Sequence, residues 1–256
     1  MTEIHPTAII APEADIAEGA RIGPYCVIQG PVRIGPDTRL IAHVFVGGQV
    51  EIAPRVEIFP FAVVGTRTQD LKWRGGQGRV VIGAGTVLRE YVTVHAPTQE
   101  DGLTAVGERC LLMAGAHVAH DCRVGDGVIM ANSSALAGHV TVESQAILGG
   151  LCGVHQYARL GRLCIVGACS KVTKDVPPFM MADGHPLRII GLNRVGLQRH
   201  GISEEARRVL RQAHRVLYRQ GLARSEALER IARDLPPIAE IKELLAFCSA
   251  SRRGVT

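Results

Sequence analysis

Residues 116–121 read Ala-His-Val-Ala-His-Asp, the densest proton-handling stretch in the chain. His117 and His120 stand three residues apart, and Asp121 directly follows the second histidine. Imidazole titrates near pH 6.5, so its neutral form can remove a proton from a hydroxyl at neutral pH. An adjacent carboxylate can fix its tautomer and raise its basicity. Imidazole is equally a common zinc ligand, and no sequence rule separates the two chemistries at this spacing. Cys122 adds a candidate nucleophile.

The frame that positions these residues is a repeat of six. Stepping by six from Ile4 to Val172 visits 29 positions, and 26 are apolar; only Asp70, Gly76 and Glu100 break the run. A helix needs a period of 3.6 and a half-buried strand a period of 2, so six fits neither. It fits a parallel β-helix with three short strands per coil and one inward aliphatic side chain per wall. Four residues after each aliphatic position stands a small or β-branched residue, such as Ala20, Cys26, Val44, Ala116 or Ser134, which also points inward. Cys26, Cys110, Cys122, Cys152 and Cys164 fall in this second set and read as core filler. Glycine often follows the aliphatic residue, as at Gly23, Gly35, Gly83 and Gly107, which suits tight corners.

A coil of eighteen residues stacks at about 4.8 Å, giving a prism roughly 40 Å long. It sets His120 beside Gly138-His139 and then His155-Gln156, with His117 one corner step earlier on the same wall. Four of the ten histidines thus converge. The Gly138 N–H, unshielded by a side chain, is open to a developing oxyanion. Cys122 faces inward, which argues against it as a nucleophile.

Two insertions leave the frame, at 66–80 and 97–104, and loops on a rigid scaffold often carry function. The frame ends at Asp175-Val176-Pro177-Pro178, setting a prism over 1–178 and a connector and helical region over 179–256. Residues 179–202 read as an extended connector. Ser203 caps a helix running to about Gln220; others begin near Ser225 and after Pro236-Pro237. Hydrophobic residues make up 46% of the chain but aromatics only 4%, which favours regular aliphatic layers. The net charge of +5 comes from 29 Lys+Arg against 24 Asp+Glu, and only four of the basic residues are Lys. Arginine suits phosphate and carboxylate partners, and the balance is too weak to indicate nucleic acid. No signal pattern and no apolar run of about 18 residues appears, so a cytoplasmic protein without a transmembrane segment is expected. Seven cysteines, an odd number, argue against a complete disulfide framework.

The hexapeptide frame, the run Ala116–Cys122, Leu136-Ala137-Gly138-His139-Val140, Val154-His155-Gln156 and Asp175–Pro178 together resemble the bacterial UDP-N-acetylglucosamine O-acyltransferases. Asp70-Leu71-Lys72 and the stretch Asn193 to Gly201 add specificity, and the resemblance spans essentially the whole chain. It implies a left-handed parallel β-helix, an exception to the usual crossover handedness. It implies transfer of an (R)-3-hydroxyacyl chain from acyl carrier protein to the 3-hydroxyl of the UDP-sugar, the first step of lipid A synthesis. It also implies a homotrimer with sites between prisms, with no cofactor and no metal. Carried over by position, His120 is the general base for direct attack on the thioester, Asp121 supports it, and the Gly138 amide serves the oxyanion. His117, His139 and Gln156 hold the nucleotide sugar, with His155 beside them. Asp70 and Lys72 match sugar- and acyl-site residues, and Asn193 and Arg199 match nucleotide contacts.

Two departures stand out. His200 follows Arg199 where the family often shows a second arginine, and Ala168 follows Gly167 where some relatives show Gly-Gly. The added methyl is expected to favour a shorter acyl chain. Acyl carrier proteins are acidic, and Arg199, Arg207, Arg208, Arg211, Arg215 and Arg219 offer a complementary surface. An N-acyltransferase on an amino-sugar nucleotide, a zinc hydratase of the carbonic-anhydrase kind and a non-catalytic scaffold are the competing readings.

Overall fold

The computed structural model describes residues 1–76 and 78–256; Gln77, inside the expected 66–80 insertion, lies outside the described residues. Strands of two to four residues run from Glu3 to Val172, and each pairs in parallel with a strand one coil away. The result is a parallel β-solenoid of about 10 turns. Its aliphatic layer follows the six-residue frame. Ile22, Leu40, Ile58, Leu88, Leu112, Met130, Leu148 and Val166 stack in register along one wall, and all are buried. Ala20, Val44, Ala116 and Ser134 of the second inward set are buried too, as are all five cysteines assigned to it.

The insertions keep the phase because they lengthen coils by multiples of six. Ile52 pairs with Ile82 and Ile82 with Val106, so these two coils hold 30 and 24 residues. The chain leaves the frame between Thr66 and Arg79, inside the expected limits, and again between His95 and Leu103, where it leaves and returns slightly earlier than expected.

Two expectations need correction. The glycines that follow the aliphatic residues do not supply left-handed corners. A Cβ at Gly23 would lie 1.8 Å from the Ile41 carbonyl oxygen, and one at Gly83 would lie 2.4 Å from the Gly107 carbonyl carbon. These positions are glycine because neighbouring coils approach too closely for a side chain. The left-handed corners fall mostly on other residues, among them Tyr25, His43, Asp121 and His139. The extended connector also has regular structure. Met180–Asp183 joins the first sheet in parallel beside Ile165–Val166, and Arg188–Leu192 folds back antiparallel on it.

Four helices follow: α1 (Arg194–Arg199), α2 (Glu204–Arg219), α3 (Arg224–Asp234) and α4 (Ala239–Ser249). Ser203 caps α2 as expected, its hydroxyl accepting from the Ala206 N–H at 3.1 Å. The helices bury Leu197, Leu210, Ala213, Ile231, Leu244 and Phe247 in a second core, shared with Leu163, Phe179 and Met180. This packing covers the C-terminal end of the prism. Arg162 clamps Glu243 of α4 through its Nε and Nη2, with contacts from 2.9 to 3.2 Å. Asp175, 1% exposed, accepts from the Arg159 N–H at 2.8 Å and from the Ser251 hydroxyl at 2.7 Å.

Replacing Asp175 with alanine leaves both donors without an acceptor at the seam between prism and helices. A loss of about 2–3 kcal/mol in unfolding free energy is expected, read by urea denaturation with an unchanged slope.

Candidate active site

An open cleft of about 1060 Å³ runs along one wall of the prism, and it gathers most of the singled-out residues. His117, His120, Gly138, His139, His155 and Gln156 line it, and the first insertion brings Asp70 and Lys72 to its rim. His117 lies in the strand His117–Val118, between Thr93 on one coil and Ala135 on the next. The Thr93 hydroxyl meets its Nδ1 at 2.7 Å, which leaves Nε2 for a ligand. Burial, then the nearby His95 and His120, lowers the His117 pKa to about 4. It is therefore a neutral hydrogen-bonding group at physiological pH.

His120 sits just past that strand, mostly buried, with Nδ1 at 2.8 Å from Asp121 Oδ2. Burial alone would raise the Asp121 pKa, but hydrogen bonds from His120 and Thr98 outweigh it and hold the carboxylate below its ordinary range. An ionised carboxylate on Nδ1 favours the tautomer with its proton there and the lone pair on Nε2. The Cε1–Nε2 edge of the ring lies against Gly138. A Cβ at position 138 would lie 2.4 Å from Nε2 and 2.2 Å from Cε1 of His120, so only glycine allows this approach. The Gly138 N–H has no described backbone acceptor.

His139 meets His120 edge to face, with centroids 5.1 Å apart, and its Nε2 lies 3.6 Å from Asp121 Oδ2. Its other face stacks on Tyr157 at 4.6 Å. His155 and Gln156 are exposed on the next coil, joined by a 3.2 Å contact from His155 Nδ1 to the Gln156 carbonyl oxygen. In the insertion, the Lys72 N–H donates to Asp70 Oδ1 at 2.9 Å. Cys122 is buried, and burial pushes its thiol up to about 12, which fits filler and not a nucleophile.

Three expected residues lie away from this cleft. Asn193 is 1% exposed, and its amide is engaged within the chain: Nδ2 donates to the Leu163 carbonyl at 2.9 Å and Oδ1 accepts from the Gly196 N–H at 2.9 Å. It caps α1. Arg199 is exposed at the end of that helix, and Ala168 is exposed on the last coils beside Gly149. Conversely, His95, Tyr157 and Lys171 line the cleft without having been singled out. Tyr157 is eighteen residues after His139 and was readable from the coil arithmetic. His95 was hidden because its coil is 24 residues long, as the Val94–Val118 pair shows.

The same geometry bears on metal binding. His120, Asp121 and His139 offer ligand atoms within 4.8 Å of one another. The His120 Nδ1 to Asp121 Oδ2 distance of 2.8 Å is a hydrogen bond. Two ligands on one tetrahedral zinc sit roughly 3.3 Å apart at the usual bond lengths.

Residues 175–256 match UDP N-acetylglucosamine O-acyltransferase, domain 2, and residues 104–138 match the bacterial transferase hexapeptide (six repeats). The chain is 49% identical, over 100% of its own length and 99% of the relative's, to the acyl-[acyl-carrier-protein]–UDP-N-acetylglucosamine O-acyltransferase of Thermodesulfovibrio yellowstonii. It belongs to that family. The corresponding enzyme of Syntrophobacter fumaroxidans is 42% identical over 99% of both chains. The solved structure of LpxA from Acinetobacter baumannii superposes with a TM-score of 0.95 at 41% identity, covering 99% of each chain. LpxA from Bacteroides fragilis reaches 0.97 at 36% identity, again over 99% of each. The chain is an acyltransferase. Among the described residues no helix is long and apolar enough to cross a membrane.

The lowered pKa of His117 makes stability depend on pH. The unfolded chain takes up a proton near pH 6.5 that the folded site resists until about pH 4. Stability should therefore fall as pH drops from 6.5 toward 4, and His117→Gln should flatten part of that fall. An imidazole NMR titration of wild type should show one histidine still neutral at pH 5.

Proposed function

We propose that the chain transfers an (R)-3-hydroxyacyl group from acyl carrier protein to the 3-hydroxyl of UDP-N-acetylglucosamine, opening lipid A synthesis. The observation that carries this reading is the His120–Asp121 pair set against Gly138 inside the histidine-lined cleft, in a chain matching its relatives from end to end. His120 Nε2 takes the proton of the sugar hydroxyl as its oxygen attacks the thioester carbonyl. The carbonyl electrons move onto oxygen, and the Gly138 N–H stabilises that oxyanion. Collapse reforms the carbonyl and expels the carrier's thiolate, which takes the proton from the imidazolium. No acyl-enzyme forms, in keeping with the buried Cys122.

Neutral His117, together with His139, His155 and Gln156, orients the nucleotide sugar, while Asp70 and Lys72 close over it. Arg199 and Asn193 lie off their own chain's cleft, which supports a homotrimer in which α1 serves a neighbouring prism. Asn193 would act by capping that helix. Exposed Arg208, Arg211, Arg215 and Arg219 share one face of α2 and suit an acidic carrier protein in the cytoplasm. The clustered His120, Asp121 and His139 keep a zinc-dependent reading in play as the second hypothesis; the 2.8 Å hydrogen bond favours the base.

Incubation with UDP-N-acetylglucosamine and a ladder of 3-hydroxyacyl carrier proteins, read by mass spectrometry, should yield a singly O-acylated nucleotide sugar. His120→Ala should lower kcat by about 10²–10⁴ with the fold intact. Stoichiometric zinc whose removal abolishes activity would refute the mechanism.

On the same ladder the wild type should prefer shorter chains, and Ala168→Gly should shift preference to longer ones, changing the kcat/KM ratio by about tenfold. A wild-type preference for the longest chains would sink the assignment of Ala168.

A further inference from the structure

Thr98 lies in the second insertion, between the strands Thr93–His95 and Leu103–Val106. Its hydroxyl donates to Asp121 Oδ2 at 2.8 Å, and its N–H reaches the same oxygen at 3.2 Å. In the strand that follows, the buried Thr104 hydroxyl accepts the Asp121 N–H at 2.8 Å. Asp121 itself occupies a left-handed corner, at φ 59°. The insertion therefore holds this aspartate by its carboxylate, while the strand after it holds the backbone. We propose that Thr98 is a positioning residue for the general base: it locks the Asp121 carboxylate in the orientation that holds and polarises His120.

One carboxylate oxygen collects the contacts. Oδ2 accepts from the Thr98 hydroxyl, the Thr98 N–H and His120 Nδ1, with His139 Nε2 at 3.6 Å. An aspartate has two equivalent oxygens and a freely turning carboxylate. Two donors from a single threonine remove that freedom and select the oxygen presented to His120. They also share its charge, which tempers its pull on the imidazole proton. The other titratable groups around the pair are His95 and His117 on the preceding strands and His139 on the next coil.

Replacing Thr98 with valine keeps the shape and removes only the hydroxyl. Charge on Oδ2 then concentrates on His120, so the pair should take up its proton at higher pH. The acid limb of kcat/KM should move up by about 0.5 pH unit or more. Looser alignment should lower kcat about tenfold with KM little changed. Thr98→Ser should restore both properties. ¹⁵N-histidine NMR titration of His120 in the same variants reads the shift without substrate.

A role confined to holding the loop would lower the thermal midpoint and leave the pH profile unmoved. That result, or a serine variant that behaves like valine, overturns the proposal. The inference rests on His120 being the base. If His120→Ala keeps full activity, that reading has failed; if His120→Ala is inactive while Thr98→Val retains the wild-type profile, only the role of Thr98 has failed.

Discussion

Everything in this molecule depends on coils standing in register on one another. A parallel ladder of very short strands cannot hold itself together by its own few hydrogen bonds. Each wall is fixed because an inward aliphatic residue rests on its counterpart from the coil below, as Leu112 does on Leu88 and Met130 on Leu112. A slip by one residue would turn that layer toward solvent. The core thus defines the register, and the register defines which surface residues become neighbours. The same closeness explains the glycines that follow the aliphatic positions, where another coil's backbone occupies the space of a side chain.

The site uses that register twice. Stacking brings Gly138 under His120, and the missing side chain at Gly138 lets the imidazole edge lie against the backbone. One residue on, His139 stands against the same ring and is itself backed by Tyr157 a coil later. Residues of such different kinds form a constellation because the solenoid places them a few ångströms apart however far apart they are in sequence. The insertions add what a regular coil cannot provide. The first carries Asp70 and Lys72 over the cleft, and the second returns Thr98 to the carboxylate.

Electrostatics then divides the histidines by task. His117 is partly buried with two imidazoles nearby, so it stays neutral. His120 has an ionised carboxylate on Nδ1, which suits an imidazole that must accept and return a proton. The two histidines are three residues apart in sequence, yet their roles differ because one is paired with Thr93 and the other with Asp121.

The six-residue period alone determined the solenoid, the inward cysteines and the convergence of His120, Gly138, His139 and Gln156, because a strict repeat converts sequence distance directly into spatial distance. Ser203 was legible as a cap for a local reason: a helix start needs an acceptor at that position. Where the repeat lengthens, the conversion fails. His95 and Thr98 belong to a 24-residue coil, so counting by eighteen could not place them beside His117 and Asp121. The two strands after Phe179 were hidden because the first pairs with the last coil at an offset that breaks the six-residue phase, as Ile165 with Met181, and the second folds back on it antiparallel. Asn193 reads as a polar contact in sequence, but its amide is spent on Leu163 and Gly196, partners set by how the helices pack on the prism. Only the folded chain could decide which oxygen of Asp121 faces His120, since that depends on donors arriving from a separate loop.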